Sequence, residues 1–196
     1  MTKTVDFFYD FGSPTVYLAA TQLPMLADQV GATIDWRPIL LGGIFKLTGN
    51  QSPAVIAAKA AYMNDDLERF AKRYGVPFNW NPHFPINTLA LMRGAVAYQD
   101  DGIASSTYRD AIFTAIWVEA QNMNEPDVIY QVLTDSGLDP AELMDRIGHQ
   151  AVKDQLLANT EQAVNRGVFG APTFFVGEQM FFGQDRLDFV TEALSG

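Results

Sequence analysis

Tyr9-Asp10-Phe11-Gly12-Ser13-Pro14, directly after the apolar run Val5–Phe8, is the stretch whose reading decides the fold of this chain. The run suits a buried strand, and the glycine marks a turn out of it. Pro14 fits the first turn of a helix, where its missing N–H costs nothing. Ser13 therefore stands at a helix N-terminus, where free N–H groups and the positive end of the macrodipole favour an anion. Two readings of Ser13 stand side by side: a cap that bonds its own helix, or a hydroxyl aimed at a bound anion. A serine-hydrolase nucleophile is disfavoured, because no G-x-S-x-G elbow surrounds it. Far downstream, Val168-Phe169-Gly170-Ala171-Pro172-Thr173 forms a Gly-Ala-Pro-Thr turn into the strand-like Phe174-Phe175-Val176.

Outward from these two motifs, the ends of the chain read as α/β and the middle as helical. Tyr17, Leu18, Leu23, Met25, Leu26 and Val30 recur at helical spacing up to Gly31, and Thr33–Arg37 then alternates as a half-exposed strand. Lys46 and Asn50 fall in Gly42-Gly43-Ile44-Phe45-Lys46-Leu47-Thr48-Gly49-Asn50, which reads as a loop after that second strand. From about Ser52 to Arg166 the period is helical. Leu89, Met92 and Val96 form one stripe, Tyr108, Ile112 and Ile116 a second, and Val128, Ile129, Val132 and Leu133 a third; all read as core. Asp139-Pro140-Ala141-Glu142 is a helix start. Thr173–Val176 and Met180–Phe182 make a hairpin, and a final amphipathic helix begins at Gln184-Asp185. Asp185 reads either as a cap or as a carboxylate for a ligand ammonium, with the N–H groups of Gln184 and Asp185 receiving a ligand carboxylate.

The bulk properties narrow the function. The chain has 196 residues, 48% of them hydrophobic, enough for a full core in one domain or in one domain with a large insertion. A formal charge of −10, with only 13 basic residues, opposes nucleic-acid binding. No apolar run approaches ~18 residues, and Asp6 and Asp10 interrupt any secretory h-region, so the expectation is a soluble, cytoplasmic protein that does not enter a membrane. There is no cysteine, and His83 and His149 are too far apart for a local zinc motif, so no metal site is expected. His83 has no identifiable partner.

Ser13-Pro14-Thr15-Val16 taken with Gly170-Ala171-Pro172-Thr173 resembles a thioredoxin-type active site, a strand-to-helix turn facing a cis-proline loop. Serine stands where a thiol-disulfide oxidoreductase carries its attacking cysteine. The implied fold is α/β: a thioredoxin-like (DsbA/kappa-type) core over residues 1–51 and 160–196, with a large all-helical insertion over 52–159. A working disulfide oxidoreductase is excluded, since no residue here can form a mixed disulfide, and any sulfur chemistry needs a sulfur from outside. With Phe45-Lys46-Leu47-Thr48-Gly49-Asn50 and Phe182-Gly183-Gln184-Asp185-Arg186 added, nearly the whole chain resembles the 2-hydroxychromene-2-carboxylate isomerase family. That family is related to kappa-class glutathione transferases within the wider DsbA-like group.

The resemblance implies a glutathione-dependent isomerase of aromatic hydrocarbon breakdown, acting on a small aromatic substrate and pairing as a homodimer. Ser13 matches the family's catalytic serine, which contacts the glutathione sulfur. Ala171 matches the residue before the cis-proline, here Pro172, that binds the tripeptide backbone. Phe182, Gly183, Gln184 and Asp185 match the segment holding the γ-glutamyl end, with Gln184 in place of a serine or asparagine. Lys46 and Asn50 match substrate-side polar residues, and Phe84 falls near a position where some relatives carry a tyrosine. The chemistry agrees: a free thiol of pKa about 8.5 is mostly protonated at neutral pH, and a helix N-terminus plus a hydroxyl donor stabilises its thiolate. Two other functions stay open: a kappa-like glutathione transferase or peroxidase, and a cysteine-less DsbA-like module that binds extended peptides.

Overall fold

The computed structural model describes residues 3–196. β1 (Thr4–Tyr9) and β2 (Thr33–Pro38) run parallel, with Phe7 opposite Trp36, and α1 (Pro14–Val30) is the crossover that parallel pairing requires. The chain rejoins the sheet only at β3 (Thr173–Val176), antiparallel to β1, and β4 (Gln179–Phe182) folds back along β3 around Gly177. The strand order is β2-β1-β3-β4. As an inner strand, β1 buries Val5, Phe7 and Tyr9 on one face and Phe8 on the other, which is why it reads as a continuous apolar run. Phe7 stacks on Phe174 directly across the ladder at 5.0 Å between ring centres, and Trp36 covers Phe7 and Tyr9 edge-on at 5.1 and 5.5 Å.

α1 ends on Gly31 in the left-handed region, and the Ala32 N–H returns to the Ala27 carbonyl at 2.9 Å. After β2 come α2 (Leu41–Thr48), α3 (Ala57–Tyr74), α4 (Leu89–Ala97), α5 (Ile103–Trp117), α6 (Pro126–Asp135), α7 (Pro140–Gly148) and α8 (Gln150–Asn165), and α9 (Leu187–Ser195) closes the chain against α1 and β3. The expected stripes are core: Tyr108, Ile112 and Ile116 are fully buried, as are Met92 and Leu133, in one cluster that is continuous with β1 and α1. Asp139 caps α7 by accepting from the Ala141 N–H at 2.8 Å. Among the described residues no helix is long and apolar enough to cross a membrane, and no group of three or more His, Cys, Asp or Glu is placed to hold a metal ion.

The loop expected around Lys46 is a helix. Gly42 and Gly43 gave it the look of a turn, yet α2 starts one residue earlier, and its uncapped N-cap, Leu40, is served from elsewhere in the chain. The Leu41 N–H donates to Asp10 Oδ2 at 2.7 Å and the Leu40 N–H to Thr160 Oγ1 at 3.0 Å. A Cβ at Gly43 would lie 3.1 Å from Thr160 Cγ2, so this glycine serves the close crossing of α2 and α8. The last helix is likewise preceded by a short 3-10 turn over Gln184–Arg186.

Candidate active site

The turn between β1 and α1 places Ser13 as the N-cap of α1, with extended backbone at φ −103° and ψ 118°. Its Oγ accepts from the Val16 N–H at 3.4 Å, donates to the Ala171 carbonyl at 3.2 Å and shares a hydrogen bond with Thr15 Oγ1 at 2.9 Å. The cap bond is long, so Ser13 caps its helix while directing its hydroxyl across the site. Opposite it, the Ala171–Pro172 peptide is cis. The Thr173 hydroxyl holds this loop shut on the Gly170 carbonyl at 2.8 Å, and the Gly183 N–H donates to Pro172 O at 3.0 Å. Ser13, Ala171, Pro172 and Gly183 are thereby brought together from both ends of the chain.

Two glycines here mark close approach. A Cβ at Gly170 would lie 2.9 Å from the Phe182 ring, which pairs with Phe169 at 4.6 Å, and both rings are partly exposed. At Gly183, with φ +105°, a Cβ would lie 2.5 Å from Asp185 Oδ1. Gln184 is buried, and its carbonyl accepts from the Tyr74 hydroxyl at 2.9 Å, which ties α3 to this segment. Burial, then the Asp185 and Asp188 charges, push the Tyr74 phenol up to about 12. Asp185 does not cap a helix: its Oδ2 pairs with Arg186 at 2.6 Å. Among the described residues, the N–H groups of Ala171, Gln184 and Asp185 donate to nothing.

Asp10 organises the turn, and its part was not visible in the sequence. It is 1% exposed and its two oxygens accept from the Gly12 N–H at 2.9 Å and the Leu41 N–H at 2.7 Å. One carboxylate thus fastens the entrance of α1 to the entrance of α2, where the helix dipole also favours a negative charge. Burial pushes its carboxyl above the ordinary 3.8; the Gly12 and Leu41 N–H groups and the Thr88 hydroxyl pull it down less strongly. An Asp two residues before a glycine in a turn is the one local signal that could have found it.

Lys46 is exposed in the last turn of α2. Asn50 lies just beyond α2, its Nδ2 donating to Phe169 O at 2.8 Å and its Oδ1 accepting from the Gln51 N–H at 2.8 Å, so it braces the cis-proline loop. Beside the site, Val55, Met63, Trp80, Phe84 and Pro85 wall an apolar cleft of about 450 Å³. The chain beyond Pro85 runs against the Ser13 turn, where Thr88 Cγ2 lies 3.1 Å from the position a Gly12 Cβ would take. Nothing local in Trp80-Asn81-Pro82-His83-Phe84 announces a cleft, because its opposite wall comes from the start of α3.

A β2-β1-β3-β4 sheet with a cis-proline loop set against the N-terminus of its first helix defines a thioredoxin-fold protein of the DsbA type, with an alcohol in place of the thiol. The family model for the DSBA-like thioredoxin domain matches residues 4–195. The 2-hydroxychromene-2-carboxylate isomerase of Sphingobium xenophagum is 35% identical over 196 residues, covering 99% of each chain. A solved structure of 2-hydroxychromene-2-carboxylate isomerase superposes with a TM-score of 0.87 at 30% identity, covering 97% of this chain and 94% of the other. Glutathione S-transferase kappa 1 of Caenorhabditis elegans is 28% identical, covering 97% of this chain and 90% of its own length. The chain belongs to the 2-hydroxychromene-2-carboxylate isomerase family of DsbA-like thioredoxin proteins, to which the kappa-class transferases are related.

Proposed function

We propose that this protein is a glutathione-dependent isomerase that interconverts 2-hydroxychromene-2-carboxylate and trans-o-hydroxybenzylidenepyruvate. The observation that carries the reading is the Ser13 hydroxyl, 3.2 Å from Ala171 O across the site, in a chain without cysteine. The donor set suits a γ-glutamyl tripeptide: N–H groups at Ala171, Gln184 and Asp185 without partners among the described residues, and an Asp185 Oδ1 outside the Arg186 pair. Glutathione held by these groups would supply a thiolate for reversible conjugate addition to the ring-opened ketone form of the substrate, in which the hemiketal C–O bond has broken and the 2-hydroxyl proton has passed to the phenol oxygen; with the displaced electron pair on the carbonyl oxygen, the former double bond would be free to turn before the thiolate is expelled.

The protein's own share is binding and electrostatics. The Ser13 hydroxyl, the Thr15 N–H, which has no partner among the described residues, and the positive end of the α1 dipole stabilise negative charge at the sulfur position. Ala171 offers its N–H to the tripeptide backbone, and Phe182 and Gly183 shape the path of its γ-glutamyl end. The N–H groups of Gln184 and Asp185 take the terminal carboxylate, and Asp185 takes the ammonium. Lys46, with the remaining amide N–H of Asn50, holds the substrate carboxylate and the charge that develops on its oxygen. The apolar cleft walled by Trp80 and Phe84 takes the aromatic ring, within the size range of small-molecule sites.

The test is an absorbance assay with the chromene carboxylate, with and without glutathione. Turnover that needs glutathione supports the reading, and turnover equally fast without it refutes the dependence. Ser13→Ala is expected to keep the fold and weaken thiolate stabilisation by about 1.5–3 kcal/mol, raising the bound thiol's pKa by about 1–2 units. An unchanged thiol pKa in ultraviolet titration removes the role given to Ser13. The 28% identity to glutathione S-transferase kappa 1 favours a second reading, a transferase on the same site. Conjugation of a chlorinated aromatic acceptor without isomerase activity would decide for it.

A further inference from the structure

Thr15 lies two residues inside α1 with its hydroxyl 2.9 Å from Ser13 Oγ and 3.4 Å from the Ala171 carbonyl. A hydroxyl has one proton to give and two lone pairs to fill. Ser13 Oγ has three neighbours: the Val16 N–H, which can only donate, the Ala171 carbonyl, which can only accept, and Thr15, which can do either. Two arrangements satisfy them. Either Thr15 donates to Ser13 and Ser13 to Ala171, over 2.9 and 3.2 Å, or Ser13 donates to Thr15 and Thr15 to Ala171, over 2.9 and 3.4 Å. The first has the shorter contacts and leaves both Ser13 lone pairs filled, by Val16 and Thr15.

We infer that Thr15 is a positioning residue for Ser13: its hydroxyl donates to Ser13 Oγ and commits the Ser13 proton to donation across the site. Filling both lone pairs removes any use of Ser13 as an acceptor. It also polarises the Ser13 O–H, because a hydroxyl that accepts a hydrogen bond donates a stronger one. The proton's resting partner, Ala171 O at 3.2 Å, lies beyond the usual O–H···O range, so a charged acceptor at the α1 N-terminus takes it over readily. This inference rests on the reading that a thiolate is that acceptor.

Thr15→Val keeps the shape and removes the hydroxyl, Thr15→Ser restores a hydroxyl, and Ser13→Ala and the Ser13→Ala/Thr15→Val double variant complete the cycle. The readout is ultraviolet titration of the thiol of bound glutathione, after calorimetry has shown that each variant binds it and a thermal melt that each is folded. Thr15→Val is expected to raise the bound thiol's pKa by about half a unit, a threefold loss of thiolate at pH below that pKa, and Thr15→Ser to reverse it. In the Ser13→Ala background, Thr15→Val is expected to change nothing, since Thr15 acts only through Ser13. The inference is overturned if Thr15→Val leaves the pKa unmoved, or moves it equally in both backgrounds. A wild type whose bound thiol titrates as free glutathione does refutes the functional reading itself, and the role of Thr15 with it.

Discussion

Replacing Gly94 by alanine sets helix propensity against packing beneath the candidate site. Gly94 is buried in the middle of α4, and a Cβ there would overlap the Tyr108 hydroxyl oxygen and lie 2.5 Å from its Cζ and 3.2 Å from Leu143 Cδ1. Propensity alone favours the alanine by about 1 kcal/mol. Tyr108, however, is fully buried, donates to Leu91 O at 2.8 Å and packs edge-on against Phe11 at 5.9 Å, so it cannot swing aside freely. Overpacking costs about 1–3 kcal/mol. Pulling the phenol off Leu91 O leaves a buried donor unpaired, for about another 1–3 kcal/mol. Packing wins by about 3 kcal/mol at the centre of these ranges, a fall in Tm of about 6–12 °C for a chain of this size. Differential scanning calorimetry measures it, with Gly42→Ala as the control. Apart from its chain neighbours and the helix's own backbone, no atom among the described residues lies within 4 Å of a Cβ at that position, so the control should hold or raise the Tm. A Gly94→Ala protein that melts at or above wild type refutes the close packing of α4 on α5.

Two further perturbations bear on the site. Burial raises Asp10 above its ordinary 3.8, so the folded chain holds this proton more tightly than the unfolded chain. The contribution of Asp10 is then complete below that value and is lost as pH rises toward the folded-state pKa. Asp10→Asn abolishes this titration, so Tm measured from about pH 4 to about pH 7 should shift in the variant's favour relative to wild type as pH rises; a relative shift toward wild type overturns the direction. Tyr74→Phe removes the bond to Gln184 O, worth about 0.5–1.5 kcal/mol, and should weaken glutathione binding by about 2–10-fold in calorimetry. Because the phenol titrates only at about 12, the wild-type affinity should show no step from Tyr74 near neutral pH; an unchanged Kd in the variant dismisses α3 as a support of the 183–185 segment.

How far the chain could be read in advance followed the reach of each interaction. The β1 run, the Ser13 cap with Pro14 at the first helical position, the Gly31 stop and the hairpin around Gly177 are set by neighbours in sequence, and each stands where its local pattern places it. Lys46 reads as loop yet sits in a helix because the groups that start α2 are distant: Asp10 lies 31 positions before Leu41, and Thr160 lies 120 positions after Leu40. Paired glycines look the same whether they free a turn or admit a neighbouring helix. Tyr74 was invisible for the same reason, its carbonyl partner being 110 positions away.

By itself, the sequence determined three features of the candidate site: a hydroxyl at the mouth of a helix, a proline loop that could face it, and no thiol of its own. Those features follow from short-range backbone chemistry and from composition, which need no third dimension. Tertiary structure alone decided which groups complete it. The Ser13 hydroxyl meets a carbonyl 158 positions away, one buried carboxylate joins two helix entrances, and an apolar cleft forms between α3 and the Trp80–Pro85 segment. A hydrogen bond acts over about 3 Å of space, whatever length of chain separates its partners.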